Sequence, residues 1–368
     1  MKILSVETDL ISIKLKKPFK TALRQVSVVE SIIVKLITDT GEIGYGAASP
    51  TAVITGDINE SIIGSINNYI APAVMGMDIE ELEAIMQRVE SSAVHNTSAK
   101  AAVDIALYDL FGKRFNIPLY KLFGGARKEI ESDITISVNS PVEMAEDAVN
   151  YVRNGYTTLK TKVGVNGKLD IQRVKAIRDA VGPNIQLRLD ANQGWSPKEA
   201  VKTIRAMEDS GFDIELVEQP VKAHDIEGLR YVTQNVETPI MADEALFSPY
   251  DCFTLLKERA ADILNIKLMK CGGLHNAQKI NAMAESCGVE CMIGCMIESK
   301  VGIAAAAHFA GGKLNITRAD LDAIDLIAKE PISGGVELVG NKLVLSDAAG
   351  IGIKSINYDG GAADESPK

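Results

Sequence analysis

Ile185-Gln186-Leu187-Arg188-Leu189-Asp190 and, 28 residues later, Ile214-Glu215-Leu216-Val217-Glu218 are short apolar runs that each end on an acid. The interval recurs on both sides. Thr158–Val163 lies upstream, and Pro239–Asp243, Ile263–Leu268, Glu290–Ile297 and Leu314–Thr317 follow downstream. The polar residues that close or follow these runs are Lys162, Asp190, Glu218, Asp243, Lys267, Glu298 and Asp320. They stand 28, 28, 25, 24, 31 and 22 residues apart. A strand, a helix and two loops take roughly 25–30 residues, the size of one βα unit in a (β/α)8 barrel. Strands alternating with helices make a parallel sheet. In a closed barrel every strand delivers its C-terminal end to one mouth. The spacing therefore predicts two lysines and three carboxylates around a common centre.

The intervening segments carry matching helix signals. Ser140-Pro141-Val142-Glu143, Ser196-Pro197-Lys198-Glu199 and Ser248-Pro249-Tyr250-Asp251 share one pattern. Serine caps free N–H groups, proline fits the first helical position, and the acid closes a capping box at the positive end of the helix dipole. Gly155 and Gly211 suit the left-handed stop of the first two helices. Ile171, Val174, Ile177 and Val181 form one apolar stripe that ends at Gly182-Pro183.

Four regions follow. Residues 1–125 read as an α+β capping domain, with a hairpin turning at Asp39-Thr40-Gly41 and helices over 58–123. Residues 126–330 read as the barrel, a modified TIM type within the α/β class. Residues 331–358 read as a C-terminal segment that returns to the capping domain. Residues 359–368 lack apolar content and read as a disordered tail.

Bulk properties narrow the function. A chain of 368 residues holds one barrel and a smaller domain. The net charge of −10, with no basic stripe, argues against nucleic acid. No apolar run reaches the ~18–20 residues of a membrane span, and Glu7 and Asp9 fall too early for a signal peptide. Five cysteines suit a reducing, cytoplasmic setting. Cys291 and Cys295 share one strand-like run, roughly 13 Å apart, so a zinc site is not expected.

Asp190, Glu218 and Asp243 on adjacent strands offer hard oxygen ligands, which favour Mg2+, or Mn2+, over zinc. Lys160 and Lys162, two apart on a strand, point the same way, and two close ammonium groups lower one another's pKa. Lys267 falls on the far side of the ring, and Lys270 belongs to the next loop. Two lysines facing each other across a metal suit removal of a proton next to a carboxylate and its return on the other face.

The motifs Lys160-Thr161-Lys162, Leu189-Asp190-Ala191-Asn192, Val217-Glu218-Gln219-Pro220, Ala242-Asp243-Glu244 and Ile266-Lys267-Leu268-Met269-Lys270-Cys271-Gly272-Gly273 resemble the enolase superfamily, muconate-lactonizing-enzyme subgroup. Leu107–Leu110 and Pro118–Gly125 extend the resemblance through the leading domain. Asp320-Leu321-Asp322 is similar to the Asp-x-Asp motif of the dipeptide epimerases within that subgroup.

The resemblance implies a Mg2+-dependent enzyme, one ion per subunit, that inverts the C-terminal residue of L-Ala-D/L-Glu in murein peptide metabolism. Lys162 and Lys267, with Lys160 beside them, would be the catalytic lysines. Asp320 and Asp322 would hold the substrate ammonium and Arg24 the glutamate carboxylate. Glu298 would orient a base or line the pocket, and Thr135 would complete the substrate contacts. Val53–Asp57 would form a second cover loop. A homo-oligomer is a family expectation. Ala245 and Ala47 depart from the family's usual Ser and Glu, which bears on substrate more than on reaction. Three alternatives stay open: a dipeptide with a cationic or hydrophobic C-terminal residue, an o-succinylbenzoate synthase or N-acylamino acid racemase, and a non-catalytic metal-binding scaffold.

Overall fold

The structure, a computed structural model, describes residues 1–20 and 25–358. The leading region begins with three antiparallel strands, Ile3–Lys20, Gln25–Thr38 and Ile43–Ala48, in that spatial order. The helix Thr97–Arg114 crosses them, buried along nearly all its length. Close approach depends on Gly46, where a Cβ would stand 1.8 Å from the Ala102 carbonyl oxygen. The small residues Ala99, Ala102 and Ala106 serve the same packing, and all three are fully buried.

Eight strands then form one parallel sheet in sequential order. They are Ile134–Ile136, Thr158–Lys162, Gln186–Asp190, Ile214–Glu218, Ile240–Ala242, Ile263–Lys267, Glu290–Gly294 and Ile316–Asp320. The ring closes where Asp133 N donates to Ala319 O (3.2 Å) and Leu321 N to Ser132 Oγ (2.8 Å). Period-two alternation sorts the side chains. Leu187, Leu189, Val217, Leu264, Ile266 and Ile293 join the main core. Leu216, Met241, Ile263 and Met292 form a separate buried cluster. Leu216, Met241 and Ile263 lie two residues before Glu218, Asp243 and Asn265, and Met292 two before Gly294.

The helix punctuation holds. Ser140, Ser196 and Ser248 each accept from the N–H three residues on, with Pro at the first helical position. Gly155 and Gly211 have φ of +95° and +66°. Two strands differ from the sequence reading. The seventh ends at Gly294, three residues before Ile297, and the eighth runs over Ile316–Asp320 rather than Leu314–Thr317. The eighth strand is followed by a single helical turn, Ala323–Leu326.

The C-terminal segment divides its contacts. Lys342–Leu345 pairs with Glu129–Glu131, just ahead of the first barrel strand, and Val336–Val339 pairs with the other edge of Lys342–Leu345. Residues 350–351 reach the leading region. Leu119 N donates to Gly350 O (2.9 Å), and Ile351 N donates to Asp109 Oδ1 (2.8 Å). Asp109 is fully buried and also accepts from Tyr45 N.

Candidate active site

Sheet register brings the polar residues to one level. Lys162 pairs with Asp190 and Asp190 with Glu218 on the second, third and fourth strands. Across the ring, Lys267 pairs with Gly294 and Gly294 with Asp320 on the sixth, seventh and eighth. Asp243 directly follows the three-residue fifth strand. Among eight strands, the second and sixth are diametrically opposed. Lys162 and Lys267 therefore face each other with the three carboxylates between.

Among the described residues, Asp190, Glu218 and Asp243 form the group able to hold a metal, with one ligand atom from each within 4.8 Å of the others. All three are fully buried. Lys162 Nζ lies 2.6 Å from Asp190 Oδ2, and Lys267 Nζ 2.7 Å from Asp243 Oδ2. Lys160 Nζ reaches Glu218 Oε2 (2.5 Å), Asp320 Oδ2 (2.7 Å) and Asp190 Oδ2 (3.1 Å). Glu218 Oε2 nevertheless has no partner in hydrogen-bond geometry. Its close neighbour is the Lys160 ammonium, and the convergence of three buried carboxylates within 4.8 Å is what fits a site built for a cation. The oxygen-only ligand set suits Mg2+.

The electrostatics are those of a crowded buried cluster. Burial acts to raise the Asp190 carboxyl, but Lys162 and Lys160 override it and hold it below its ordinary value. Asp243 is held low in the same way, burial being outweighed by Lys267 and Lys270. Glu218 is pushed up to about 8 by burial and by the Asp190 charge. For Lys160 burial favours the neutral amine, yet Asp320, Glu218 and Asp190 prevail and raise it well above the ordinary value. This corrects the expectation of a lysine pair that lowers its own pKa: the carboxylates around Lys160 outweigh Lys162. Lys267 is raised for the same reason, with Asp243 and Glu218 prevailing over burial.

A cavity opens above this cluster. Lys162, Lys267, Asn192, Thr135, Asp320 and Asp322 line its polar side, and Phe19, Val53, Ile54, Met296 and Ile297 its apolar side. Thr135 N donates to Asp322 Oδ2 (2.8 Å), which ties the first strand to the Asp-x-Asp segment. Burial and the Asp320 charge raise Asp322 to about 6. Glu298 does not line the cavity. It turns back, and its Oε1 accepts from Met296 N (2.9 Å). Arg24 lies outside the described residues. The five cysteines are free, and Cys287 is exposed.

Three residues add to the site beyond the sequence reading. Lys270 is fully buried, and its Nζ reaches both the backbone oxygen and the carboxylate of Asp243. A Cβ on Gly294 would stand 2.6 Å from Asn265 Oδ1 and 3.0 Å from Lys267 Cε, so glycine keeps the Lys267 side chain free. Gln219 is fully buried behind Asp243. Lys270 and Gln219 stand in motifs quoted above; Gly294 carries no local signal.

The fold and the site define an enolase-type barrel with a leading cap. Residues 143–357 match the enolase C-terminal domain-like model, and residues 5–124 the mandelate racemase/muconate lactonizing enzyme N-terminal domain. The chain belongs to this family. It is 56% identical over 347 residues to the L-Ala-D/L-Glu epimerase of Clostridium acetobutylicum, covering 94% of this chain and 97% of that one. The substrate-liganded L-Ala-D/L-Glu epimerase from Bacillus subtilis superposes with a TM-score of 0.96 at 51% identity, covering 97% of this chain and all of that one. The dipeptide epimerase from Enterococcus faecalis, complexed with Mg and L-Leu-L-Tyr, gives 0.94 at 47%, covering 96% and 100%. Among the described residues no helix is long and apolar enough to cross a membrane.

Proposed function

We propose that the protein is a dipeptide epimerase that interconverts L-Ala-L-Glu and L-Ala-D-Glu by two-base proton transfer. The observation that carries this is the pair of opposed lysines, Lys162 and Lys267, each within 2.7 Å of a different carboxylate of one acidic triad. The kinship to L-Ala-D/L-Glu epimerases at 52–56% identity supports it.

Asp190, Glu218 and Asp243 would hold Mg2+. When bound, the ion supplies positive charge that stabilises the substrate carboxylate as its α-proton leaves. One lysine, as the free amine, takes the α-proton on its Nζ. The other, as an ammonium, delivers a proton to the opposite face, which inverts the centre. Lys160 stays charged between the carboxylates and offsets part of their repulsion. Asp320 and Asp322 accept hydrogen bonds from the N-terminal ammonium. Arg24 is the proposed partner of the glutamate side chain.

Proton NMR in D2O with Mg2+, on each diastereomer separately, tests this reading. Loss of the glutamate α-proton with growth of the other diastereomer, abolished by EDTA, is expected. No exchange from either diastereomer would remove glutamate as the substrate. A second reading rests on Phe19, Val53, Ile54, Met296 and Ile297, which give the cavity an apolar wall suited to a hydrophobic C-terminal residue. Faster exchange from L-Leu-L-Tyr in the same assay would favour it.

A further inference from the structure

Asp243 differs from the other two acids of the triad. Asp190 and Glu218 are the last residues of their strands and still pair within the ladder, which fixes them. The fifth strand stops at Ala242, and its pairing with the fourth ends at Glu218–Met241. Asp243 is therefore beyond the ladder, and something else must hold it. The side chain of Gln219 does so. Its Oε1 accepts from Asp243 N (2.9 Å) and Ala245 N (3.1 Å), and its Nε2 donates to Val221 O (3.0 Å).

All hydrogen-bonding capacity used here is internal, and the residue is fully buried. Its main chain is equally committed, since its N donates to Met241 O and its O accepts from Gln193 N, both at 2.8 Å. Its φ of +37° is unfavourable for a residue with a Cβ. Glycine would adopt that backbone at less cost. A backbone that tolerates this strain for the sake of a side chain implies a task for the side chain.

Resting on the metal reading above, we infer that Gln219 is a positioning residue for the metal site. Its amide oxygen replaces the missing ladder acceptor and sets the distance of Asp243 from Asp190 and Glu218. Because the side chain is neutral, its effect is geometric. It differs in this from Lys270, whose charge also acts on the Asp243 carboxylate.

Gln219→Met keeps the bulk and removes the hydrogen bonds. Gln219→Gly keeps, and eases, the left-handed backbone while removing the side chain. Mn2+ binding is read directly from the free-ion EPR signal, alongside thermal melting of the metal-free protein and steady-state epimerisation. Mn2+ affinity is expected to fall about 10–100-fold in both variants, the range found for groups that orient metal ligands. Both variants should melt below the parent, since each leaves the Asp243 and Ala245 N–H groups without their acceptor, and kcat should fall more than KM rises. Mn2+ affinity within threefold of the parent in a folded variant overturns the inference. If the methionine variant fails to fold, the glycine variant decides. A parent protein that leaves the Mn2+ signal at full height overturns the metal reading and the inference with it; tight parent binding shared by both variants overturns the inference alone.

Discussion

Lys162 and Lys267 approach the acidic triad from opposite strands, so each can serve only one face of a substrate held between them. Lys267→Ala should abolish α-proton exchange from one diastereomer by at least about 100-fold, a typical general-base contribution, and spare exchange from the other. Lys162→Ala should show the reverse preference. Equal residual exchange from both diastereomers in D2O would sink the assignment. Asp322 should matter for binding. Asp322→Asn should raise KM for the dipeptide about tenfold, in line with loss of a charge-assisted hydrogen bond, with a smaller effect on kcat. Lys162, Asp190 and Glu218 were legible in the sequence because each ends an apolar run and register does the rest. The placement of Glu298 was not, because the strand before it ends at Gly294 and the loop folds its carboxylate back onto Met296 N, where it still acts electrostatically on Lys267. Gly294 was invisible because its value lies in the Lys267 side chain beside it, and no local pattern encodes that contact.

The helices between strands aim the loops that carry these groups, and their caps fix where each helix starts. Ser140 forms a complete capping box with Glu143. Ser140→Ala should lower unfolding stability by about 1 kcal/mol, measured by urea denaturation, with kcat unchanged because the box lies away from the cavity. Loss of activity without loss of stability would contradict that separation. The caps could be read from sequence because Ser-Pro-x-acid uses only neighbours three residues apart. The eighth strand could not be bounded in the same way. Thr317, Arg318 and Asp320 break its apolar pattern, since Arg318 bonds to Glu215 and Glu290 and Asp320 to Lys160. A strand whose polar residues are satisfied by other strands has no hydrophobic signature to find.

At the scale of the molecule, the leading domain and the barrel meet through buried polar contacts. His308, on the helix Lys300–Gly312, accepts at Nδ1 from Tyr120 N (3.1 Å) and is fully buried. Burial lowers its pKa to about 4. The unfolded chain, with an ordinary His near 6.5, binds the proton more readily, so acid favours unfolding. This contribution to stability is intact above pH 6.5 and is lost as pH falls through about 4, worth about 3 kcal/mol at most. His308→Gln removes the titrating group and keeps an acceptor. The stability difference between parent and variant should shift by that order between pH 6.5 and 4, and a constant difference would refute it. The eight-strand order was legible from the spacing of apolar runs, whereas the pairing of Lys342–Leu345 with Glu129–Glu131 was not, since it joins segments about 210 residues apart.

Asp109 has a consequence for how the protein is made. It belongs to the first third of the chain, yet one of its partners is the amide of Ile351, 242 residues further on. At roughly 5–20 residues per second, the ribosome needs about 12–50 s to supply that partner. Throughout that interval the nascent leading domain carries a carboxylate whose native pocket is still open on one side. Its closure waits on the segment around residue 351, and a chain cut short before that residue would carry a barrel beneath an unfinished lid.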